Sequence, residues 1–161
     1  MKALIINREV ELEESKIFGD VYLPESWLME DVFSPYEFFL SQINLEDFFE
    51  DKKGYLYFFV EAYSLSKFKM KPKVRFYEGE PDSYTEFNEG FFDEDPECFA
   101  IKKESIGTLN IFEETENTFL LLEIPSKFLP FDINCAKIAF YMQKDDFLKN
   151  DYTNVSLVFI N

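Results

Sequence analysis

The fold of this chain is decided by FLSQIN at residues 39–44, which leads into the apolar run YLYFFV at residues 55–60. LLEIP at 121–125 and KIAFYM at 137–142 repeat the pattern in the same order. The isoleucine of the first segment and the aliphatic residue of the second are 13 positions apart in the front pair and 14 in the back pair. Because a β unit whose apolar face is uncovered can pair with its copy, we predict two tandem halves around one core.

The chain length fits a single domain over residues 1–161, enough to bury about 70% of the surface that the unfolded chain exposes. We place the halves at about 1–77 and 98–161. The connector between them, residues 78–97, holds nine acidic residues, no Lys or Arg, and several Gly and Pro. Its phenylalanines predict that part of it packs against the core: Phe87, Phe91 and Phe92.

Aromatic residues make up 19% of the chain, with 21 Phe and 9 Tyr, and this composition favours pleated, half-buried surfaces. We predict an α+β domain that is mainly antiparallel β with short helices. The sequence Ser34-Pro35-Tyr36-Glu37 matches a helical capping box, but the parallel with the back half favours a strand after it. The predicted strands are 3–6, 38–43, 55–63, 73–77, 108–112, 119–124, 137–142 and 155–160, and the predicted helices are 25–29, 45–50, 126–129 and 145–149.

The formal charge is −16, from 32 acidic and 16 basic side chains. Such a surface repels nucleic-acid phosphate and anionic lipid, so we expect neither direct nucleic-acid binding nor membrane binding. The partners that the field favours are basic proteins, metal cations or cationic ligands. The other interpretation, that the charge serves only to keep the protein soluble, is favoured over any specific partner.

The chain contains no histidine. This excludes Ser-His-Asp and Cys-His nucleophiles, HExxH zinc sites and the usual general base of neutral-pH chemistry. An enzyme would have to use carboxylates, Lys, Tyr or a bound metal. We therefore favour a protein without catalytic activity and expect no cofactor.

The first residues contain an apolar stretch too short for a signal peptide, and no apolar run approaches the roughly 20 residues that span a bilayer. We expect a cytoplasmic protein. Cys98 and Cys135 lack CxxC spacing, which favours reduced thiols and leaves a bridge open.

Several segments resemble a known family. FLSQINL at 39–45, GYLYFF at 54–59 and KVRFY at 73–77 are similar to the "fLaQINL … GyLyFF … kVyYye" core of the YwqG-like proteins. AKIAFYMQKDDF at 136–147, followed by DYTNV at 151–155, resembles the family's "G-iyFfIkkeDL … dFsnv" ending. The family consists mostly of bacterial intracellular proteins of unknown function, so the resemblance implies no activity.

The chain also departs from the family pattern. Ile17–Pro24 is similar to the N-terminal Gly-Gly-x-Pro-x-Leu-Pro segment. Where the family commonly carries a second Gln-Ile-Asp and a Trp-Gly-Asp, this chain has Glu123-Ile124-Pro125 and Asn134-Cys135-Ala136. If those polar positions form a shared site, the resemblance implies that it is altered here.

Clustered carboxylates in the connector are the first candidate site. Asp93, Glu94, Asp95 and Glu97 have the oxygen ligands that Ca²⁺ or Mg²⁺ prefers. They lack the Asp-x-Asp-x-Asp-Gly spacing that preforms a calcium site, which favours a solvated acidic loop. The same acids would mimic a phosphate backbone if they were held on a rigid surface.

Three other positions have both a binding and a structural interpretation. Gln42 and Asn44 would place amides in a pocket, or satisfy backbone groups at a buried corner and cap a helix. Trp27 would be an exposed recognition aromatic or a packed side chain. Asp145 and Asp146 would form an acid–base pair or begin a helical turn. The structural interpretation is favoured in each case.

These observations leave three functional hypotheses. The first is a non-enzymatic acidic binding protein that engages a basic protein, as an inhibitor or toxin-immunity protein would. The second is a carboxylate-based or metal-assisted enzyme on a small molecule. The third is a nucleic-acid mimic.

Overall fold

A computed structural model describes residues 1–65 and 69–161 and is dominated by strands. The predicted strand at 73–77 begins earlier, at Met70, and the strand that follows the connector was not predicted. The strands are β1 (Lys2–Ile6), β2 (Lys16–Ile17), β3 (Val21–Leu23), β4 (Glu37–Asn44), β5 (Tyr55–Ala62), β6 (Met70–Tyr77), β7 (Ser83–Thr85), β8 (Phe99–Lys103), β9 (Leu109–Glu114), β10 (Phe119–Pro125), β11 (Lys137–Met142) and β12 (Ser156–Ile160).

Ten of these strands form one antiparallel sheet in the order β12-β11-β10-β9-β1-β8-β2-β4-β5-β6. β3 and β7 form a separate antiparallel pair. The large sheet curls until its edge strands β6 and β12 approach each other. At this seam the ring of Phe76 from β6 lies 5.9 Å from the ring of Tyr152, just before β12. The sheet is therefore nearly closed.

The strand order is symmetric about its centre. β1 and β8 pair in the middle, a front arm of β2, β4, β5 and β6 lies on one side, and a back arm of β9 to β12 lies on the other. Each central strand also pairs with the arm of the other half, β1 with β9 and β8 with β2. The two halves therefore exchange their first strands.

Each arm carries a β-bulge at the same point of the repeated sequence pattern. The ladder of β4 with β5 skips Leu40, and the ladder of β10 with β11 skips Leu121. Both leucines are fully buried in the core between the arms. Beyond the bulges, the aliphatic pairs expected from the spacing face each other: Ile43 with Leu56, and Ile124 with Ile138.

The mainly antiparallel prediction is confirmed, but the chain is mainly β and not clearly α+β, because its helical segments are single turns. The helical segments that lie wholly within the described residues are α1 (Glu25–Met29), α2 (Lys144–Leu148) and the 3₁₀ turns Leu45–Asp47 and Ser126–Phe128. No helix in the described ranges is long and apolar enough to cross a bilayer.

The capping-box sequence forms a turn before β4. The backbone N–H of Ser34 donates to a carboxylate oxygen of Glu37 at 2.6 Å, and the Glu37 N–H donates to the Ser34 carbonyl at 3.2 Å. The chain then extends into β4, where pairing with β5 buries every residue from Glu37 to Ile43. The predicted preference for a strand is confirmed, because sheet pairing outweighs a local helix signal.

A second apolar cluster covers the outer face of the front arm. The residues that pack onto the sheet here come from β3, α1 and Phe87 of the connector, and we call them the cover of the front arm. The cluster's buried members on β4 and β5 alternate with inward-facing residues, as side chains on opposite faces of a strand must. They are Phe39, Tyr55, Tyr57 and Phe59, and β3 adds Val21 and Leu23.

Candidate functional site

The connector is held to the sheet by one buried side chain. The Asn88 amide oxygen accepts the backbone N–H of Phe39 at 2.7 Å, and its nitrogen donates to the Phe39 carbonyl at 2.7 Å. These bonds satisfy the backbone of β4 beside its bulge. Asn88 is 8% exposed, so both bonds are shielded from competing water.

Three phenylalanines pack the connector down on either side of Asn88. The Phe87 ring centroid lies 4.9 Å from that of Phe59, edge to face. On the other side, the centroids of Phe91 and Phe92 lie 5.5 and 5.2 Å from that of Phe38. The predicted packing of the connector is confirmed. Hydrogen bonds and ring contacts hold residues 87–92 against the sheet. We call residues 86–97, which include this segment and the acids that follow it, the acidic ridge.

The acidic ridge presents its charges to solvent. All six of its carboxylates are exposed, and it contains no basic residue. Gly90, at φ +75°, forms a turn at which an added side chain would meet nothing within 4 Å. The exposed acids are Glu86, Glu89, Asp93, Glu94, Asp95 and Glu97.

Three grooves border the ridge. The aromatic groove has a volume of about 680 Å³, the α1 groove about 720 Å³ and a small groove about 270 Å³. Asp95 lines the aromatic and small grooves, Glu86 lines the small and α1 grooves, and Phe91 lines the α1 and aromatic grooves. The grooves therefore follow one another around the ridge.

The aromatic groove runs between the ridge and the segment after β10. The Phe92 ring stacks on Phe131 with centroids 5.9 Å apart and planes at 14°. Phe99 meets Phe128 edge to face at 5.0 Å. The Lys127 Nζ lies 5.2 Å from the centroid of Phe128. The wall thus combines aromatic faces with a cation already placed over one of them.

Among the described residues that line this groove, the charges have one sign apart from that lysine. Asp93, Glu94, Asp95 and Glu97 all line it, and Lys127 is the only base in the described part of the lining. The sequence predicted the acids but not the aromatic wall. The phenylalanines of SKFLPF at 126–131 were the only available signal, and nothing local placed them beside the connector.

Trp27 packs and does not line these grooves. Its ring meets Tyr57 at 5.3 Å, Tyr77 at 5.9 Å and Phe33 at 6.4 Å, all near edge to face. It is half-buried over the outer cluster. The interpretation of Trp27 as a packed side chain fits this position.

Gln42 is fully buried, and both ends of its amide are engaged. Its Oε1 accepts the Tyr22 N–H at 2.9 Å, and its Nε2 donates to the carbonyls of Leu12 at 2.8 Å and Glu14 at 3.0 Å. Asn44 accepts the Glu46 N–H at the start of the 3₁₀ turn. Both residues make the backbone contacts that their structural interpretation predicts.

No group of three or more Asp, Glu or Cys side chains in residues 1–65 and 69–161 is arranged to hold a metal ion. The ridge carboxylates are spread along the surface and do not converge on one point. Asp145 and Asp146 lie in the first turn of α2, as predicted from the helix signal.

A buried lysine beside a thiol was not anticipated from the sequence. Lys16 on β2 is 2% exposed, and burial lowers the pKa of its amine. Burial also raises the pKa of the neighbouring Cys98 thiol, which donates to the Phe18 carbonyl at 3.6 Å. Cys98 and Cys135 are both free thiols. These shifts favour neutral forms of both groups, which suits a packed interior.

Comparisons with models of protein families, with curated proteins and with solved structures found no match for this chain.

Proposed function

We propose that this protein is a non-enzymatic acidic binding protein whose ridge engages a basic protein partner, as an inhibitor or toxin-immunity protein would. The observation that carries the proposal is the seating of the ridge by Asn88 on the Phe39 backbone. A docking surface whose backbone is already fixed loses little conformational entropy when its partner binds.

Charge supports the same partner class. The ridge contributes six exposed carboxylates, and Asp20 and Asp31 line the small and α1 grooves beside it. A surface of one sign accelerates encounter with a partner of the opposite sign and fixes its orientation. The aromatic and apolar walls provide contact area that charges alone lack. The ridge and its grooves therefore suit a basic cleft or a basic segment.

A nucleic-acid mimic is the second candidate. It needs acids on a rigid support, and the seated ridge meets that condition. The two candidates differ in what displaces the chain from its partner. A mimic is displaced by DNA or RNA, while an inhibitor that blocks another basic surface is not.

Capture from host lysate with a ridge variant tests the proposal. The ridge variant is Asp93→Asn, Glu94→Gln, Asp95→Asn and Glu97→Gln. Its matched control neutralises four exposed acids outside the three grooves: Glu9→Gln, Glu50→Gln, Asp51→Asn and Glu116→Gln. Each partner identified by mass spectrometry is purified, and its dissociation constant is measured by calorimetry at low and moderate salt.

We expect a basic partner that binds the wild type and the control variant at least tenfold more tightly than the ridge variant, with affinity falling as salt rises. Equal binding by all three chains, or capture of acidic partners only, would overturn the proposal. DNA or RNA added as competitor then separates the mimic from the inhibitor.

We also propose that the chain is a cytoplasmic member of the YwqG-like family and that its two arms descend from one duplicated unit. The family motifs FLSQINL and GYLYFF fall on the paired strands β4 and β5 of the front arm. The matching bulges at Leu40 and Leu121 and the exchange of β1 and β8 support the duplication. An experimental structure of a family member with a different strand order would count against the family proposal, and arms that fail to superpose in an experimental structure of this chain would count against the duplication.

A further inference from the structure

We infer that the aromatic groove takes an arginine side chain of the basic partner and that Lys127 is the resident cation which this arginine displaces. The inference rests on the proposed function and names the residue type that the partner presents. It is drawn from the aromatic wall, the carboxylate rim and the position of Lys127.

The wall of the groove offers flat faces to a planar cation. The ring planes of Phe92 and Phe131 are nearly parallel, with 14° between them. Phe128 and Phe99 meet edge to face, with 72° between their planes. Phe92, Phe128 and Phe131 are half-buried, so each is packed on one side and partly accessible on the other, whereas Phe99 is buried. A cation over such a face is attracted by the ring quadrupole.

The rim supplies the opposite charge. Asp93, Glu94, Asp95 and Glu97 line the groove and are exposed. A guanidinium whose plane lies on an aromatic wall keeps its N–H groups directed outward, where carboxylates at the rim accept them. The groove therefore combines the two contacts that arginine makes best.

Lys127 marks the position that a cation takes. Its Nζ lies over the Phe128 ring, and it forms no ion pair with any residue in the described ranges. It is exposed and lies in the 3₁₀ turn that follows β10. An incoming cation must share or take over this ring face. Lys127 therefore weakens the binding of an external cation, because its charge repels that cation and its amine occupies the Phe128 ring face.

The same protein already holds a guanidinium in this way elsewhere. The Arg75 guanidinium lies 4.6 Å from the Phe33 centroid and 5.0 Å from that of Phe59. It also donates to the Glu37 carboxylate at 2.5 Å. Two phenylalanine rings and a carboxylate thus bind an arginine side chain within the chain itself. The aromatic groove offers the same combination to an external arginine.

Nona-arginine and nona-lysine peptides are the probes for the test, titrated by calorimetry into the folded full-length chain at low salt. Nona-arginine should bind about threefold or more tightly than nona-lysine, since stacking favours the guanidinium. Lys127→Met should raise the affinity for nona-arginine by a further factor of about three. Lys149→Met removes the same charge from an exposed site outside the groove and should change affinity much less.

A double variant separates the effect of the ring face that Lys127 occupies from the effect of the lysine's charge. In Lys127→Met combined with Phe128→Leu, the gain from Lys127→Met should disappear, and thermal unfolding checks that the Leu variant is folded. Chemical-shift changes of the phenylalanine rings upon addition of arginine amide to the wild type give a second readout that needs no variant.

The outcomes distinguish the inference from the proposed function. Equal gains from Lys127→Met and Lys149→Met, or unchanged phenylalanine shifts with arginine amide, would overturn the inference alone. Equal binding of nona-arginine to the wild type and to the ridge variant would count against the ridge itself. Weaker binding of nona-arginine to the ridge variant, together with a gain in affinity that is specific to Lys127→Met, supports both the inference and the proposed function.

Discussion

The front and back arms of the sheet share one plan but differ in what covers their outer faces. In the front arm, Gln42 is fully buried beneath the chain that precedes and follows β2. In the back arm, Glu123 stands at the matching position of the repeated pattern. Its carboxylate is held from the side by Lys137 at 3.0 Å and Asn110 at 2.6 Å. The front arm is covered by added chain, whereas the matching position of the back arm holds a buried carboxylate that pairs with Lys137 and Asn110.

The added cover is what makes the front arm a platform for the ridge. Residues 18–36 between β2 and β4 include β3 and α1, whereas β9 and β10 are joined by a tight turn in which the Thr115 N–H donates to the Thr118 carbonyl at 2.9 Å. Connector residues complete the cover through Phe87. The surface proposed to bind a partner thus lies where the two arms differ.

The largest expected effect concerns the buried leucine at the β-bulge of each arm. Leu40→Ala and Leu121→Ala each remove a fully buried bulge residue and should each lower the free energy of unfolding by about 2–5 kcal/mol, because a cavity is left in the shared core. Urea denaturation followed by fluorescence measures both. If one variant loses less than half as much unfolding free energy as the other, the two arms are not equivalent in packing.

The next prediction concerns the cover alone. Asn88→Ala removes two buried hydrogen bonds to the Phe39 backbone and should lower stability by about 2 kcal/mol. Asn117→Ala, in the exposed turn of the back arm, serves as the control and should change stability by less than about 0.5 kcal/mol. Hydrogen exchange should show faster opening of the ridge in the Asn88 variant. A rigid ridge in that variant would show that the phenylalanines suffice.

Alkaline pH tests the raised pKa of Tyr57, a tyrosine on β5 that is buried beneath the cover. Burial raises the pKa of Tyr57 well above its usual value. The folded protein keeps this proton where the unfolded chain releases it, so the free energy of unfolding is unaffected by this group below pH of about 10 and falls above it. Tyr57→Phe should make the decline shallower by up to about 1.4 kcal/mol per pH unit. An unchanged slope between wild type and variant would contradict the assignment.

The smallest pair of effects has opposite signs in the two arms. The Tyr57 hydroxyl donates to the Tyr22 carbonyl at 2.6 Å, so Tyr57→Phe should cost about 1 kcal/mol at neutral pH. The Tyr152 hydroxyl, beside the back arm, is buried and has no hydrogen-bond partner within the described ranges. Tyr152→Phe should therefore raise stability by up to about 1 kcal/mol. Thermal unfolding of both variants measures the difference, and destabilisation by Tyr152→Phe would indicate a bound water or polar partner.

The arms themselves were accessible to sequence reasoning. Residues 55–60 are apolar on both faces, which predicts a strand buried in a sheet, and β5 lies between β4 and β6. The central strand β8 was missed because FAIKK is short and follows an acidic loop directly. Its place depends on pairing with β1 and β2, which are remote in the sequence.

The candidate site was only half predictable. The acids of the ridge and the packing of its phenylalanines follow from residue type alone. The aromatic groove joins Phe92 to Phe131, and Asn88 reaches the backbone of Phe39, so both features depend on contacts between distant parts of the chain. No local pattern specifies such contacts before the sheet has closed.

The exchange of β1 and β8 between the halves has a consequence for a chain cut in the connector. Cleavage at the exposed turn around Gly90 would separate two fragments that still share the central ladders, because β1 and β2 of the first fragment pair with β9 and β8 of the second. Such a nicked protein should stay assembled under native conditions and come apart only in denaturant. Proteolysis at this turn would then break the ridge without dismantling the body that carries it.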